Sequence, residues 1–197
     1  QAAQNGHKEV VRMLLEKGAE PNKQDGKGYL SLVQATQYGH TKIVRMLLDK
    51  GAEPNKDDGN GYLPLVLAAQ NGHKEVVRML LEEDADQNKQ SGRGFLSLVQ
   101  AAYKGHMEIV GILLEKGAES NQQDKYGFLP LVVAARENHL GVMRLLLPRG
   151  TDAKLSEIQQ SLKQLTDTDG ELSPSTAKSS STAKISSLVK NLLYVGQ

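Results

Sequence analysis

The sequence predicts an all-α fold: a solenoid of stacked helix-turn-helix units joined by β-turn or hairpin loops, closed at its C-terminal end by capping helices. Three observations carry that expectation. The stretch AAQNGHKEVVRMLLE stands at residues 2–16 and again, letter for letter, at 68–82, an offset of 66 residues. Looser versions at 35–49, 101–115 and 134–148 halve that offset, so a 33-residue unit recurs five times. All five histidines (His7, His40, His73, His106, His139) fill one slot of it. A period of this length means stacked supersecondary units, each contacting only its neighbours. Finally, the two helical stretches of a unit are each shorter than the ~12–15 residues at which an isolated helix becomes marginal, so neither stands without the units above and below.

The chain opens in mid-pattern, at Ala2-Ala3 of a partial unit spanning 1–26, which leads to the expectation that sequence precedes Gln1. Full units follow at 27–59, 60–92, 93–125 and 126–154, so the repeat domain is 1–154. Each begins with a turn cluster such as Asp57-Asp58-Gly59-Asn60-Gly61, where Gly reaches positive φ freely and Asp bonds its own backbone. A first helix is expected over Pro64 to Asn71, with Pro in its first turn and Leu65, Ala68 and Ala69 as its stripe. Gly72 ends it in the left-handed conformation. A second helix is expected over Lys74 to Glu82, with Val76, Val77, Leu80 and Leu81 inside and Lys74, Glu75, Arg78 and Glu82 outside.

Individual units depart from the pattern. In the third, Asp84 stands where Gly18, Gly51 and Gly117 stand elsewhere, within an acidic run whose charge opposes the helix dipole. In the fifth, Asn138 replaces the glycine and Pro148 shortens the last helix, as suits an end unit. After Lys154 the period stops. Leu155, Ile158, Leu162 and Leu165 mark an amphipathic capping helix over 155–165. Residues 166–182, rich in Ser and Thr, read as a linker. Ile185, Leu188, Val189, Leu192 and Leu193 mark a second amphipathic helix within 183–197. Covering the open end of the array is the first role for these helices, and lodging in a partner's groove is the second.

The unit resembles an ankyrin repeat, whose pattern runs through a turn, G-x-T-P-L-H-x-A-A, x-x-G-H-x-x-I/V-V-x-x-L-L and x-x-G-A-x-x-N. Gly28, Leu32, Ala35, Gly39, His40, Val44, Leu47, Leu48, Gly51, Ala52 and Asn55 fill those slots in one unit. One departure is systematic: T-P-L-H is Leu30-Ser31-Leu32-Val33, Leu63-Pro64-Leu65-Val66, Leu96-Ser97-Leu98-Val99 and Leu129-Pro130-Leu131-Val132. Leu is a poor N-cap, which leaves Ser31 and Ser97 to cap one residue later. Losing Thr and His exchanges a polar network for dry packing.

Composition limits the chemistry. With 24 basic against 23 acidic residues, a net charge of +1 gives no general reason to expect nucleic acid or an anionic membrane as partner. No apolar run approaches the ~18 residues of a membrane span. Zero cysteines removes disulfides and thiolate chemistry. The expected location is cytoplasmic, and an upstream targeting segment would change that. The histidines are separated by at least one helix-packing distance, ~8–10 Å, whereas zinc ligands lie ~2.0–2.1 Å from their metal. No metal, cofactor or catalytic centre is therefore expected, and each histidine should play a structural hydrogen-bonding part. Arg12, Arg45 and Arg78, four residues before Glu16, Asp49 and Glu82, suggest a solvated face of i,i+4 pairs. Asn22, Asn55, Asn88 and Asn121 fill a slot that is hydroxylated in some animal members of the family; a structural turn role is expected here.

The resemblance implies a non-catalytic module that binds a protein partner on its concave face as a monomer. Carried over slot by slot, the contact positions are Lys27, Tyr29, Gln37 and Tyr38, then Asn60, Tyr62, Gln70 and Asn71. Next come Arg93, Phe95, Tyr103 and Lys104, and then Lys125, Tyr126, Phe128, Arg136 and Glu137. Tyr and Arg often carry interface energy, and Tyr38, Arg93 and Tyr103 are expected to be exposed. The Tyr29/Tyr62/Phe95/Phe128 ladder is open between internal packing and contact. The alternative function is a substrate-recruiting arm of a larger enzyme or effector.

Overall fold

The computed structural model describes residues 1–147. Among them are nine helices and no strand: α1 Lys8–Glu16, α2 Ser31–Gln37, α3 Thr41–Asp49, α4 Pro64–Asn71, α5 Lys74–Glu82, α6 Ser97–Lys104, α7 Met107–Glu115, α8 Pro130–Arg136 and α9 Leu140–Leu146. The partial first unit contributes α1 alone. Each later unit contributes a first helix (α2, α4, α6, α8) and a second (α3, α5, α7, α9). First helices pack on first helices and second on second, with the pair of each unit joined by its own contacts.

The two layers differ because their sequences differ. The first helices are short and largely buried. In α4 every residue from Pro64 to Ala69 is buried. Ala35, Ala68, Ala69, Ala101, Ala102 and Ala134 have no exposed surface, and their small size lets neighbouring helices close up. The second helices are amphipathic. Ile43, Leu47, Leu80, Ile109, Leu113 and Met143 fill the space between layers. Each such side chain contributes roughly 1.5–3 kcal/mol by leaving water, which is how a chain with two Phe and no Trp builds a core.

The expected bounds of α4 and α5 coincide with the observed ones. The substituted motif is dry, with Leu30, Val33, Leu63, Val66, Leu96 and Val99 all buried. Serine capping fails. Leu30 and Leu96 hold the extended N-cap conformation, so Ser31 and Ser97 are already inside their helices, where no side-chain cap bond forms. Ser97 Oγ instead donates to the Gln87 carbonyl at 3.0 Å, tying the helix to the loop before it. Helix α9 stops at Leu146, and Leu147 is extended (φ −80°, ψ 143°), the conformation forced on a residue before proline. The capping helix 155–165, the linker 166–182 and the helix within 183–197 lie outside the described residues.

Projecting turns join the units. Asp25, Asp58 and Asp124 each accept, through Oδ1, the N–H groups two and four residues on, at 2.8 to 3.0 Å. Ser91 fills the same slot and accepts from the Phe95 N–H at 3.2 Å. Successive tips are stitched by backbone bonds: the Gly59 N–H to Gly28 O at 2.7 Å, Arg93 N–H to Gly61 O at 3.2 Å, and Lys125 N–H to Gly94 O at 2.9 Å.

Candidate functional site

The turn tips and the C-terminal ends of the first helices share one side of the array because the same slots recur in every unit. Of the expected contact residues, Lys27, Tyr38, Asn60, Asn71, Arg93, Lys104, Lys125, Tyr126 and Glu137 are exposed. Tyr29, Gln37, Tyr62, Gln70, Phe95, Tyr103, Phe128 and Arg136 are half-buried. None is in the core. The expected exposure holds for Tyr38 and Arg93 and fails for Tyr103, which packs against the core.

Many of these side chains brace one another across units. Asn60 Nδ2 donates to Lys27 O at 3.3 Å, and Asn71 Nδ2 to Gln37 O at 3.1 Å. Arg93 lies 4.7 Å from the centre of the Tyr62 ring and donates to the Tyr62 hydroxyl. The Tyr126 hydroxyl donates to Arg93 O at 3.1 Å, and its ring sits 5.3 Å from that of Phe95. Arg136 lies between Tyr103 and Phe128, at 5.5 and 5.6 Å, and pairs with Glu137 at 2.9 Å. The aromatic ladder is thus partly internal. Tyr62 packs on Leu30, Val33 and Leu67 and Phe128 on the main core, while the outer parts of both rings carry an arginine.

The histidines form a ladder of their own. Nε2 of His40, His73, His106 and His139 reaches the carbonyl of Gln4, Gln37, Gln70 and Tyr103, at 2.9, 3.0, 3.2 and 3.1 Å. A carbonyl only accepts, so Nε2 carries the proton in each. Asparagines link the units on the other edge. Asn22, Asn55 and Asn88 donate through Nδ2 to the carbonyls of Gly51, Asp84 and Gly117, and accept through Oδ1 from the N–H of Glu53, Asp86 and Glu119. Both sets have their polar groups committed to the scaffold.

The arginine ladder needs correction. Arg12 pairs with Glu16 at i,i+4, and with Glu9. Arg45 does not pair with Asp49; it reaches Glu82 and Glu83 of the next unit, at 3.5 and 3.7 Å, where two carboxylates offer a stronger field than one. A second feature was missed in the sequence. Lys74 pairs with Glu108 across units at 3.2 Å, but in the corresponding slots one unit later stand Met107 and Gly141, so that a Cβ on Gly141 would lie 2.7 Å from the Met107 sulfur. Met107, Leu140 and Leu145 are exposed apolar side chains on that outer side. Met and Leu in a slot that holds Lys8 and Lys74 was the available signal.

Electrostatics at the turns differ by position. The N–H groups of Tyr29 and Lys27 hold the Asp25 carboxyl below the usual range. Burial pushes Asp124 up, against the opposing pull of the Phe128 and Tyr126 N–H groups. Among the described residues no three His, Asp or Glu side chains gather as metal ligands, and no helix is long and apolar enough to cross a membrane.

Comparison with protein families finds the ankyrin repeats (3 copies) model matching residues 1–91 and 85–157. No curated protein matches the chain.

Proposed function

The chain belongs to the ankyrin-repeat family, and from that premise we propose that it is a non-catalytic module that binds a protein partner through its concave face, formed by the turn tips and the ends of the first helices. One observation supports the reading: units copied almost verbatim elsewhere diverge at an exposed slot at the ends of the first helices. The slot at the C-terminal end of each first helix holds Tyr38, Asn71, Lys104 and Glu137, all exposed, whereas the histidine and asparagine slots that join the units stay constant. A surface specifies a partner only where it varies. The partners would be captured on the intact chain and identified by mass spectrometry. Replacing Tyr38, Asn71 and Lys104 by Ala should then weaken capture by ~10²-fold or more if two of them are hot spots of ~2 kcal/mol, with a cooperative melt lowered only slightly by loss of the exposed Asn71 bond to Gln37 O. Replacing Arg12 and Arg78 on the opposite face should leave binding intact. Loss in the second variant with retention in the first would reverse the assignment of the face.

A further inference from the structure

The concave slots are charged unlike the rest of the molecule. The whole chain is balanced, 24 basic residues against 23 acidic, yet the seventeen contact positions hold five cations, Lys27, Arg93, Lys104, Lys125 and Arg136, and one anion, Glu137. On the opposite side three cations are matched, Arg12 with Glu9 and Glu16, Arg45 with Glu82 and Glu83 and Lys74 with Glu108, while Arg78 pairs with no carboxylate among the described residues. On the concave side only Arg136 finds a carboxylate. Among the described residues, no acidic side chain lies within ion-pair distance of Lys27, Arg93, Lys104 or Lys125. Four of the five cations fall in the fourth and fifth units, where the rings of Phe95, Tyr103, Tyr126 and Phe128 also concentrate.

Resting on the concave-face reading, we infer that the partner presents an acidic segment, with Asp or Glu seated over the fourth and fifth units and uncharged polar residues over the second and third. Two details of geometry favour carboxylates. Arg93 lies over the ring of Tyr62 and gives one N–H to its hydroxyl, and Arg136 lies between Tyr103 and Phe128 and gives its Nε–H to Glu137; with five donors apiece, both keep further N–H groups for a carboxylate and are already restrained, so little side-chain freedom is lost on pairing. Lys104, held 5.1 Å over Tyr103, adds a third restrained cation. Apart from Lys27 and the tyrosines, the slots of the second and third units are Gln37, Gln70, Asn60 and Asn71, which hydrogen-bond without preferring either charge. A nucleic-acid surface would extend its basic residues along the whole face to track a phosphate backbone, and here the third unit supplies none.

The test uses the full chain against a displayed library of random twelve-residue peptides, with an unrelated protein as control. Enriched peptides should be rich in Asp and Glu. Their affinity should fall about tenfold between low and high salt, as exposed charges are screened, and about tenfold in each of Arg93→Gln and Arg136→Gln. Arg93→Lys and Arg136→Lys should recover part of that loss, since charge returns without the planar fork. Enriched peptides that are not acidic, ignore salt, yet lose binding in the Tyr38, Asn71, Lys104 variant would overturn the acidic partner and spare the concave face. Peptides indifferent to every concave variant would overturn both. Absence of enrichment above the control, or equal binding of single-stranded homopolymer DNA, would also overturn the inference.

Discussion

The imidazole of His73 lies so close beneath Gly39 that a Cβ added to the glycine would stand 2.6 Å from its Nδ1. The same approach recurs for His40 under Gly6, His106 under Gly72 and His139 under Gly105, at 2.7 to 2.8 Å for the nearest ring atom. Glycine in this slot therefore does two things: it takes a positive φ, 70° at Gly39, and it leaves room for the next unit's histidine to reach the Gln37 carbonyl. Gly51 isolates the first of these, having φ 82° and nothing near its missing Cβ.

Gly51→Ala should thus cost only the left-handed strain, ~1 kcal/mol. Gly39→Ala should cost that much plus displacement of His73 and its hydrogen bond, together about 2–4 kcal/mol. Denaturant melts of the two variants decide it, and equal losses would mean that the histidine stacking contributes nothing.

The same pair shows what was legible in the sequence and what was not. The period, the cap glycines and the apolar stripes placed α4 and α5 to the residue, because those features act within one unit. Partners one unit away were harder. Arg45 with Glu82, Arg93 with Tyr62 and Ser97 with Gln87 depend on how far each unit is displaced from the last, and a repeat period reports what occupies a slot without reporting that vector. One such link did leave a trace: glycine stands in its slot wherever a histidine follows 34 residues later, and Asn138 stands there when that later residue is Leu172. Asn138 in that slot holds a left-handed φ of 58°.

Thr36 is wholly buried and its hydroxyl has no hydrogen-bond partner, while Ala3, Ala69, Ala102 and Ala135 fill the corresponding slot in the other units. A buried hydroxyl left unsatisfied costs roughly 1–3 kcal/mol. Thr36→Ala removes that hydroxyl together with a methyl group that packs in the core. The midpoint of urea denaturation should rise by the equivalent of about 1 kcal/mol, the hydroxyl outweighing the methyl. A lowered midpoint would show that the packing of the methyl group is the larger effect.

The turn aspartates should respond to pH in opposite directions. Asp25, held low, contributes stability that is present above the ordinary carboxylate range and disappears as pH falls through its lowered value. Asp124, pushed up, binds its proton more tightly in the folded chain, so its contribution is lost as pH rises from the ordinary value through the raised one. Two-dimensional NMR titration should place the Asp25 midpoint below that of Asp124. Asp124→Asn, which keeps an Oδ1 for the Tyr126 and Phe128 N–H groups, should raise the melting temperature at pH 7 and leave it unchanged at pH 3.

Asp84 combines a strained backbone with an unfavourable charge. Its φ is 58°, a region that costs a non-glycine residue ~1 kcal/mol, and with Glu82, Glu83 and Asp86 it places four carboxylates at the C-terminal end of α5, where the dipole repels them. Two contacts hold the segment in place. Arg45 reaches Glu82 and Glu83, and Asn55 clasps the loop by donating to Asp84 O at 2.8 Å while accepting from the Asp86 N–H at 2.7 Å. Both of the Asn55 bonds use backbone groups, so changing the Asp84 side chain leaves the clasp intact. Asp84→Gly should therefore raise stability by ~1 kcal/mol, whereas Asn55→Ala, which strands a carbonyl and an N–H at the junction of two units, should lower it by about 2 kcal/mol. In the double variant the two effects should add, because the glycine relieves strain in the loop and the asparagine joins it to its neighbour. A chemical-denaturation cycle over the four proteins measures this, and a coupling larger than ~0.5 kcal/mol would mean that the clasp is what forces Asp84 into the left-handed conformation.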